Sequence, residues 1–278
     1  MRSVAGFFIV ISCISVLSGC QAPVISGEQN YATLQPLSTK QHENNILSLT
    51  SVIEKSPDDP SAFNMRGTAH GDARSYSKAI ADFSKAIEID PSYYQAFANR
   101  ALIHVRLKQF DKAMSDFDQA LTLSTEYPVA YFGRGMLYRI KNKQALALAD
   151  FNKTLEFAPD HAGAYFNRGE IYLARGDNAL ALADFNSAID LQPNSFAPYY
   201  GRGLSRIASG NYKEAYDDFY VAARRKKGFY QAWTYRGLAA EKQNAPEEAS
   251  RAYQRALSIN PHYKPAIEGL KRVKVKSS

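Results

Sequence analysis

Apolar and small residues recur along this chain with a spacing of 34 residues. When units of that length are counted from Pro60, the fourth position is always aromatic, the eighth is glycine or alanine, the twentieth is alanine and the twenty-fourth is aromatic. The pattern predicts two short helices in each unit, because small residues let helices pack closely while aromatic rings fill the space between them. Four units close with a proline that ends the second helix, namely Pro91, Pro159, Pro193 and Pro261.

Six such units follow one another without an insertion. They cover residues 60–93, 94–127, 128–161, 162–195, 196–229 and 230–263. The chain has 278 residues, of which 45% are apolar, so it predicts a folded protein and not a disordered one. Self-similarity at this period is typical of a repeat architecture, in which each unit packs only on its neighbours.

The order of these positions resembles the tetratricopeptide repeat (TPR) family. The resemblance covers residues 60–263. It implies an all-α fold, a TPR solenoid in which antiparallel helix pairs form a right-handed superhelix, with a concave groove that binds protein partners. Residues 43–59 match the second half of a repeat and residues 264–278 resemble a capping helix with a basic tail. Both ends of the solenoid are therefore predicted to be covered.

The first 19 residues are predicted to be a signal peptide. Arg2 precedes an apolar run, Ala5 to Val16, that is too short to span a bilayer comfortably. Leu17 to Cys20 resemble a bacterial lipobox, which implies acylation of Cys20 and a lipid anchor; the alternative is an ordinary cleaved signal peptide with an incidental cysteine. Gln21 then favours the outer membrane, with the protein facing the periplasm. Residues 20–42 are predicted to be the lipidated cysteine and a flexible tether.

Each repeat carries arginine at position seven, and repeats one to five carry aspartate at position twenty-three. Two pairings are open. If each aspartate paired with the arginine of its own repeat, Arg236 would be left alone, since repeat six has Ala252 at position twenty-three. We favour pairing with the arginine of the next repeat, because each of the five aspartates then has an arginine and Arg236 is paired as well. The predicted ion pairs are Asp82 with Arg100, Asp116 with Arg134, Asp150 with Arg168, Asp184 with Arg202 and Asp218 with Arg236.

The resemblance also implies that the first helix of each repeat lines the groove. The residues predicted to contact a partner there are Asn99, Arg106, Phe132, Arg139, Phe166, Asn167, Tyr200 and Tyr235. In this interpretation Phe132, Phe166 and Tyr200 form a ladder of exposed aromatic anchors, and the asparagines bond the backbone of an extended peptide. The alternative is that these aromatic residues belong to the core.

Positive charge is concentrated toward the C-terminus. Residues 200–278 contain 16 Lys+Arg and 7 Asp+Glu, whereas the whole chain has a formal net charge of +7. The basic segment, Arg224, Arg225, Lys226 and Lys227, predicts either contact with an anionic partner, namely a lipid, a glycan or an acidic protein, or a solvated turn. Nucleic acid is not an expected partner of an exported protein.

Catalytic and metal-binding motifs are not found in the sequence. Its five histidines form no HExxH pattern, and no Gly-rich phosphate loop is present. We therefore expect no enzyme activity and no cofactor. Two functional hypotheses remain: a lipid-anchored envelope scaffold that binds protein partners through its groove, or a structural or assembly factor for a secretin- or pilus-type machine that acts through its end surfaces.

Overall fold

The computed structural model describes residues 39–276, and this part of the chain consists of helices joined by short turns, with no strand. The predicted signal peptide, Cys20 and most of the predicted tether lie outside the described residues. The fourteen helices are α1 (Thr39–Lys55), α2 (Pro60–Asp72), α3 (Tyr76–Ile89), α4 (Tyr94–Arg106), α5 (Phe110–Leu123), α6 (Pro128–Ile140), α7 (Gln144–Phe157), α8 (Ala162–Arg175), α9 (Asn178–Leu191), α10 (Ala197–Ala208), α11 (Tyr212–Arg225), α12 (Tyr230–Lys242), α13 (Pro246–Ile259) and α14 (Lys264–Lys276). Helix α1 begins at Thr39, so the last four residues of the predicted tether are helical.

Two helices fall in each 34-residue unit, and the units stack in chain order. Within a unit the two helices pack on each other, and each second helix packs on the first helix of the next unit. First helices also meet: α2 contacts α4, α4 contacts α6, α8 contacts α10 and α12 contacts α14. No two second helices are in comparable contact within residues 39–276. The first helices therefore form the inner layer of the solenoid, as the resemblance to the TPR family implies.

Local sequence chemistry sets the helix boundaries. Proline opens α2, α6 and α13, where its missing N–H has no helical partner to lose. Asp59 caps α2 by accepting a hydrogen bond from the Ser61 backbone N–H. The turn inside each repeat holds position fifteen at positive φ, as at Gly176 (φ 84°), where nothing would contact an added Cβ. The turn therefore favours glycine for its backbone conformation alone.

The core is a row of aromatic rings, one from each second helix. Phe83, Phe117, Phe151, Phe185, Phe219 and Tyr253 are all at most 1% exposed. Small residues of two first helices make room for these rings. A Cβ on Gly169 would lie 3.0 Å from Phe185 Cε1, and a Cβ on Gly201, in the next repeat, would lie 2.5 Å from Phe185 Cζ. Glycine therefore lowers the intrinsic stability of these helices, but it permits the close packing that was predicted from the sequence.

Each end of the stack is closed by a helix outside the six repeats. Helix α1 buries Leu49 and Ile53 beside α2, and α14 buries Ala266 and Val273. Arg272 of α14 donates two hydrogen bonds, each 3.0 Å long, to the carboxylate of Glu241 in α12. None of the helices in the described range is long and apolar enough to cross a membrane.

Candidate partner-binding surfaces

The position-seven arginines of the first five repeats each bind the aspartate of their own repeat. In repeat four, Arg168 Nε and Nη2 donate to the two carboxylate oxygens of Asp184 at 2.8 and 2.7 Å. The same pairing joins Arg66 to Asp82, Arg100 to Asp116, Arg134 to Asp150 and Arg202 to Asp218, with Nη2 to Oδ1 distances of 2.7–2.8 Å. These hydrogen bonds raise the pKa of Arg168 above its ordinary value. The guanidinium therefore stays charged.

The remaining terminal nitrogen of each arginine reaches the preceding second helix. Arg168 Nη1 donates to Asn152 Oδ1 at 2.7 Å, and Asn152 stands sixteen residues before Arg168. The corresponding acceptors in the other four cases are Thr50, Ser84, Asp118 and Asn186, at 2.7–3.2 Å. Each guanidinium also lies over the position-four ring of its own repeat, at 5.4–5.7 Å from Cζ to the ring centroid. One arginine therefore joins three helices.

The predicted pairing with the next repeat is wrong. The mispredicted pairs are Asp82 with Arg100, Asp116 with Arg134, Asp150 with Arg168, Asp184 with Arg202 and Asp218 with Arg236. Position twenty-three of the second helix faces the first helix of its own repeat, and position twenty-five faces the next repeat. A bond to the neighbouring repeat does exist, but the acceptor is the residue two positions further on. Arg236 is left without an aspartate, as the alternative pairing implied.

In repeats one, two and five the buried aspartate has a second neighbour at position eleven of the first helix. His70 Nε2 lies 3.9 Å from Asp82, His104 Nε2 lies 3.8 Å from Asp116, and Arg206 Nη1 lies 2.6 Å from Asp218. Burial lowers the pKa of His70, which opposes its protonation. Within residues 39–276 no three His, Cys, Asp or Glu side chains are grouped so that they could hold a metal ion.

The aromatic ladder predicted for the groove is largely embedded. Phe166 is only 6% exposed and packs on Phe185, with ring centroids 6.0 Å apart. The prediction that it is an exposed anchor is wrong, because its helix turns it onto the core ring of its own repeat. Phe132 and Tyr200 are half-buried; Phe132 lies 4.3 Å from the ring of His161, and Tyr200 packs on several rings.

The C-terminal end of the ladder is an aromatic cluster. Tyr200 lies 4.8 Å from Phe229 and 5.8 Å from Tyr235, and Tyr235 stacks on Phe219 at 5.5 Å. Only part of each tyrosine ring remains at the surface. The cluster thus presents apolar ring edges of fixed orientation on the inner layer. Because neighbouring rings already hold them on several sides, these rings would lose little conformational freedom when a partner binds.

The polar groove residues are engaged with one another. Asn99 Nδ2 donates to Asn64 Oδ1 at 2.9 Å. Asn167 is 2% exposed and donates to the Gly163 carbonyl at 2.7 Å, so it is not free to bind a peptide backbone as predicted. Arg139 donates to Asn167 Oδ1 and forms an ion pair with a carboxylate that the sequence interpretation missed.

That carboxylate is Glu170, whose Oε2 lies 2.8 Å from Arg139 Nη1. Burial raises the pKa of Glu170, and the charge of Arg139 opposes this shift. The two residues are 31 apart in the sequence, as are Glu241 and Arg272. The first pair joins α6 to α8, and the second joins α12 to the capping helix α14. An opposite charge 31 residues after Arg139 is the signal that could have identified Glu170.

The basic residues lie at the surface, as the sequence suggested. Arg106 is exposed at the end of α4, and all of Arg224, Arg225, Lys226 and Lys227 are exposed where α11 ends. Three of the four lie over aromatic rings: Arg225 Cζ is 5.4 Å from the ring centroid of Tyr199, Lys226 Nζ is 4.5 Å from that of Phe196, and Arg224 Cζ is 6.0 Å from that of Tyr220. The basic segment is therefore partly ordered by cation–π contacts and still presents its charge to solvent.

Replacement of Phe166 by alanine separates a core role from a surface role. Because the ring is buried against Phe185, we expect Phe166→Ala to lower the free energy of unfolding by about 3–5 kcal/mol in chemical denaturation. Met65→Ala is the matched control, since Met65 is 53% exposed on α2 and should change stability by less than about 0.5 kcal/mol. If both variants lowered the free energy of unfolding by the same small amount, Phe166 would lie at the surface.

Comparison with known proteins gives a consistent family and several similar structures. Two family models, both described as tetratricopeptide repeat, match residues 162–195 and 230–263, and residues 64–130 and 99–162. Neither model describes a catalytic family. Among curated proteins, none is significantly similar in sequence to this chain.

Solved structures resemble the chain in fold. YrrB, described as a TPR protein with an unusual peptide-binding site, is 23% identical, with a TM-score of 0.62 over 68% of this chain and 97% of YrrB. PilF of Pseudomonas aeruginosa is 16% identical, with a TM-score of 0.67 over 75% of this chain and 95% of PilF. A TPR protein of Parabacteroides merdae is 22% identical, with a TM-score of 0.54 over 84% and 93% of the two chains.

The fold, the repeat spacing and the matched models agree. The inner layer of first helices is a scaffold suited to protein–protein interaction, the general role of this architecture. The chain belongs to the tetratricopeptide repeat family.

Proposed function

We propose that this protein is a lipid-anchored scaffold of the bacterial envelope that binds an extended segment of a protein partner along its inner layer. The observation that carries this proposal is a strip of five part-buried side chains contributed by four first helices. The strip consists of Asn99 on α4, Phe132 and Arg139 on α6, Tyr200 on α10 and Tyr235 on α12.

The composition of the strip favours a peptide over a small molecule. Aromatic edges alternate with an amide and a guanidinium, and they are spread over four first helices instead of converging on one cavity. An extended chain can bury alternate side chains against such rings while its backbone meets polar groups. Because Phe166 and Asn167 are buried, contact would rest on Phe132, Tyr200 and Tyr235, with positive charge supplied by the exposed Arg106. Arg139 would take part through its ion pair with Glu170. The description of YrrB as peptide-binding supports this by analogy of fold.

The envelope location is proposed from the N-terminal sequence. The lipobox-like Leu17 to Cys20 would give an acylated N-terminal cysteine, and several acyl chains hold a protein to a bilayer far more firmly than one. Gln21 supports the outer membrane, with the solenoid in the periplasm. The intervening residues would then act as the tether.

A second candidate is an assembly factor for an envelope machine of secretin or pilus type that acts through its end surfaces. The observation that favours it is the exposed basic segment, Arg224 to Lys227, at the end of repeat five. Such a segment suits an anionic partner, whether an acidic protein, an anionic lipid or a glycan. Likeness to PilF supports the same architecture, and the function is not carried over from it.

Site-specific photocross-linking in intact cells tests the groove. A p-benzoylphenylalanine at position 132 keeps a phenylalanine-like ring in the strip, and we expect it to capture a discrete protein partner. The same residue at position 180 is the matched control, since Leu180 is 52% exposed on the second helix α9. Capture of the same partner from position 180 but not 132 would reject the groove. Capture from position 227 alone would favour the second candidate.

Replacement of Cys20 tests the anchor. Cys20→Ser should abolish labelling by a palmitate analogue and release the protein from the membrane fraction, because the acylated thiol is absent. Cys13→Ser lies in the predicted signal peptide and should leave both properties unchanged. Membrane association that persists in Cys20→Ser would contradict the proposed anchor.

A further inference from the structure

The arginine layer changes at repeat six. In repeats one to five each arginine has a carboxylate sixteen residues later and a polar acceptor sixteen residues earlier. For Arg236 these two places are taken by Ala252 and Tyr220. Arg236 makes no ion pair or hydrogen bond to any residue in the described range, and its Nε is buried without a partner. It is thus the one position-seven arginine there that lacks its anion.

Aromatic rings hold the guanidinium of Arg236 in place. Its Cζ lies 4.1 Å from the ring centroid of Tyr216, 4.4 Å from that of Tyr220 and 5.3 Å from that of Trp233. Rings stack on the face of a guanidinium, whereas its N–H groups point outward in the plane and match a carboxylate. Of the three nitrogens only Nε is both buried and unbonded. The two terminal nitrogens are not fully buried, and they also make no hydrogen bond within the described residues.

A second cation lies against one of these rings. Arg224 Cζ lies 6.0 Å from the centroid of the same Tyr220 ring, which is 40% exposed. The surrounding charges do not neutralise the pair. Asp217 acts on Arg236 only from beyond ion-pair distance, and Arg251 is itself paired with Glu247 and Glu248. The lowered pKa of Arg236, caused mainly by burial, is the reverse of the shift at Arg168 and accords with a guanidinium that has no bonded anion.

We propose that Arg236 and Arg224, placed on Tyr220, form a binding site for an aspartate or glutamate side chain in an acidic segment of a partner protein. The five sibling arginines identify the missing group, since each takes an aspartate carboxylate through two nitrogens. The net charge of +9 over residues 200–278, from 16 basic and 7 acidic residues, attracts such a segment. The site does not depend on the groove and holds whether or not Phe132 contacts a partner.

The test places a carboxylate beside Arg236 by a substitution within the chain itself. Ala252 is 3% exposed and stands where the other repeats bury aspartates that are 3–7% exposed. We expect Ala252→Asp to bind Arg236 as Asp184 binds Arg168, and to raise the Tm of the full chain by about 3–8 °C. By occupying the site it should also weaken binding of a fluorescein-labelled octaglutamate peptide, measured by fluorescence anisotropy, by about tenfold or more. A variant that is more stable cannot lose binding through misfolding.

Gln254→Asp is the control, because it adds the same charge at an exposed position two residues along α13. It should leave Tm unchanged and weaken octaglutamate binding less than twofold. Equal weakening by both variants would overturn the proposal in favour of general electrostatic attraction. An unchanged Tm in Ala252→Asp would also overturn it. So would a result in which Ala252→Asp reduces binding to phosphatidylglycerol vesicles and leaves octaglutamate binding intact, since the site would then serve a lipid surface.

Discussion

A single side chain, the arginine at position seven, joins three helices in every one of the first five repeats. Its fork of donors meets an aspartate on the second helix of its own repeat, and its third nitrogen meets the second helix before it. Both partners lie sixteen residues away, one before and one after. An insertion in either helix would break one of the two bonds and leave a buried charge unpaired, which is costly. We infer that this requirement is one reason why six repeats keep a spacing of 34 residues without exception.

The fold could be predicted from spacing because it depends on repeated local chemistry. Aromatic, glycine and alanine positions each recur at a fixed offset, and rings such as Phe185 fit only where two first helices carry small residues. The arginine pairing could not be settled in the same way. Asp150 lies sixteen residues after Arg134 and eighteen before Arg168, and either distance can be spanned. The pairing depends on which side of the second helix faces the next repeat. Position twenty-five faces it, and the sequence carries a sign of this: the position is polar in repeats one to four and becomes Tyr220 in repeat five.

The candidate site was predicted less well than the fold, for a physical reason. The repeat position of a residue fixes the direction in which its side chain leaves the helix, but it does not fix how deeply the neighbouring side chains bury it. Phe132 and Phe166 both stand at position five and pack on the core ring of their own repeat, with centroids 5.9 and 6.0 Å apart, yet Phe132 keeps part of its surface exposed whereas Phe166 is buried. Asn167 is buried and hydrogen-bonded to Arg139 and to the Gly163 carbonyl. Composition alone does not distinguish these outcomes. What remains in the inner layer is a narrower strip of rings and one charged pair, and the positive charge is gathered at the other candidate surface, near Arg236.

The central claim is that the arginine and aspartate of one repeat bind each other, and it is tested most directly by double-mutant cycles. Arg168→Ala combined with Asp184→Ala should give a coupling free energy of about 1–3 kcal/mol in equilibrium unfolding, because the two residues share two hydrogen bonds. Arg168→Ala combined with Asp150→Ala should give a coupling within about 0.5 kcal/mol of zero. A large coupling between Arg168 and Asp150, with none between Arg168 and Asp184, would contradict the account.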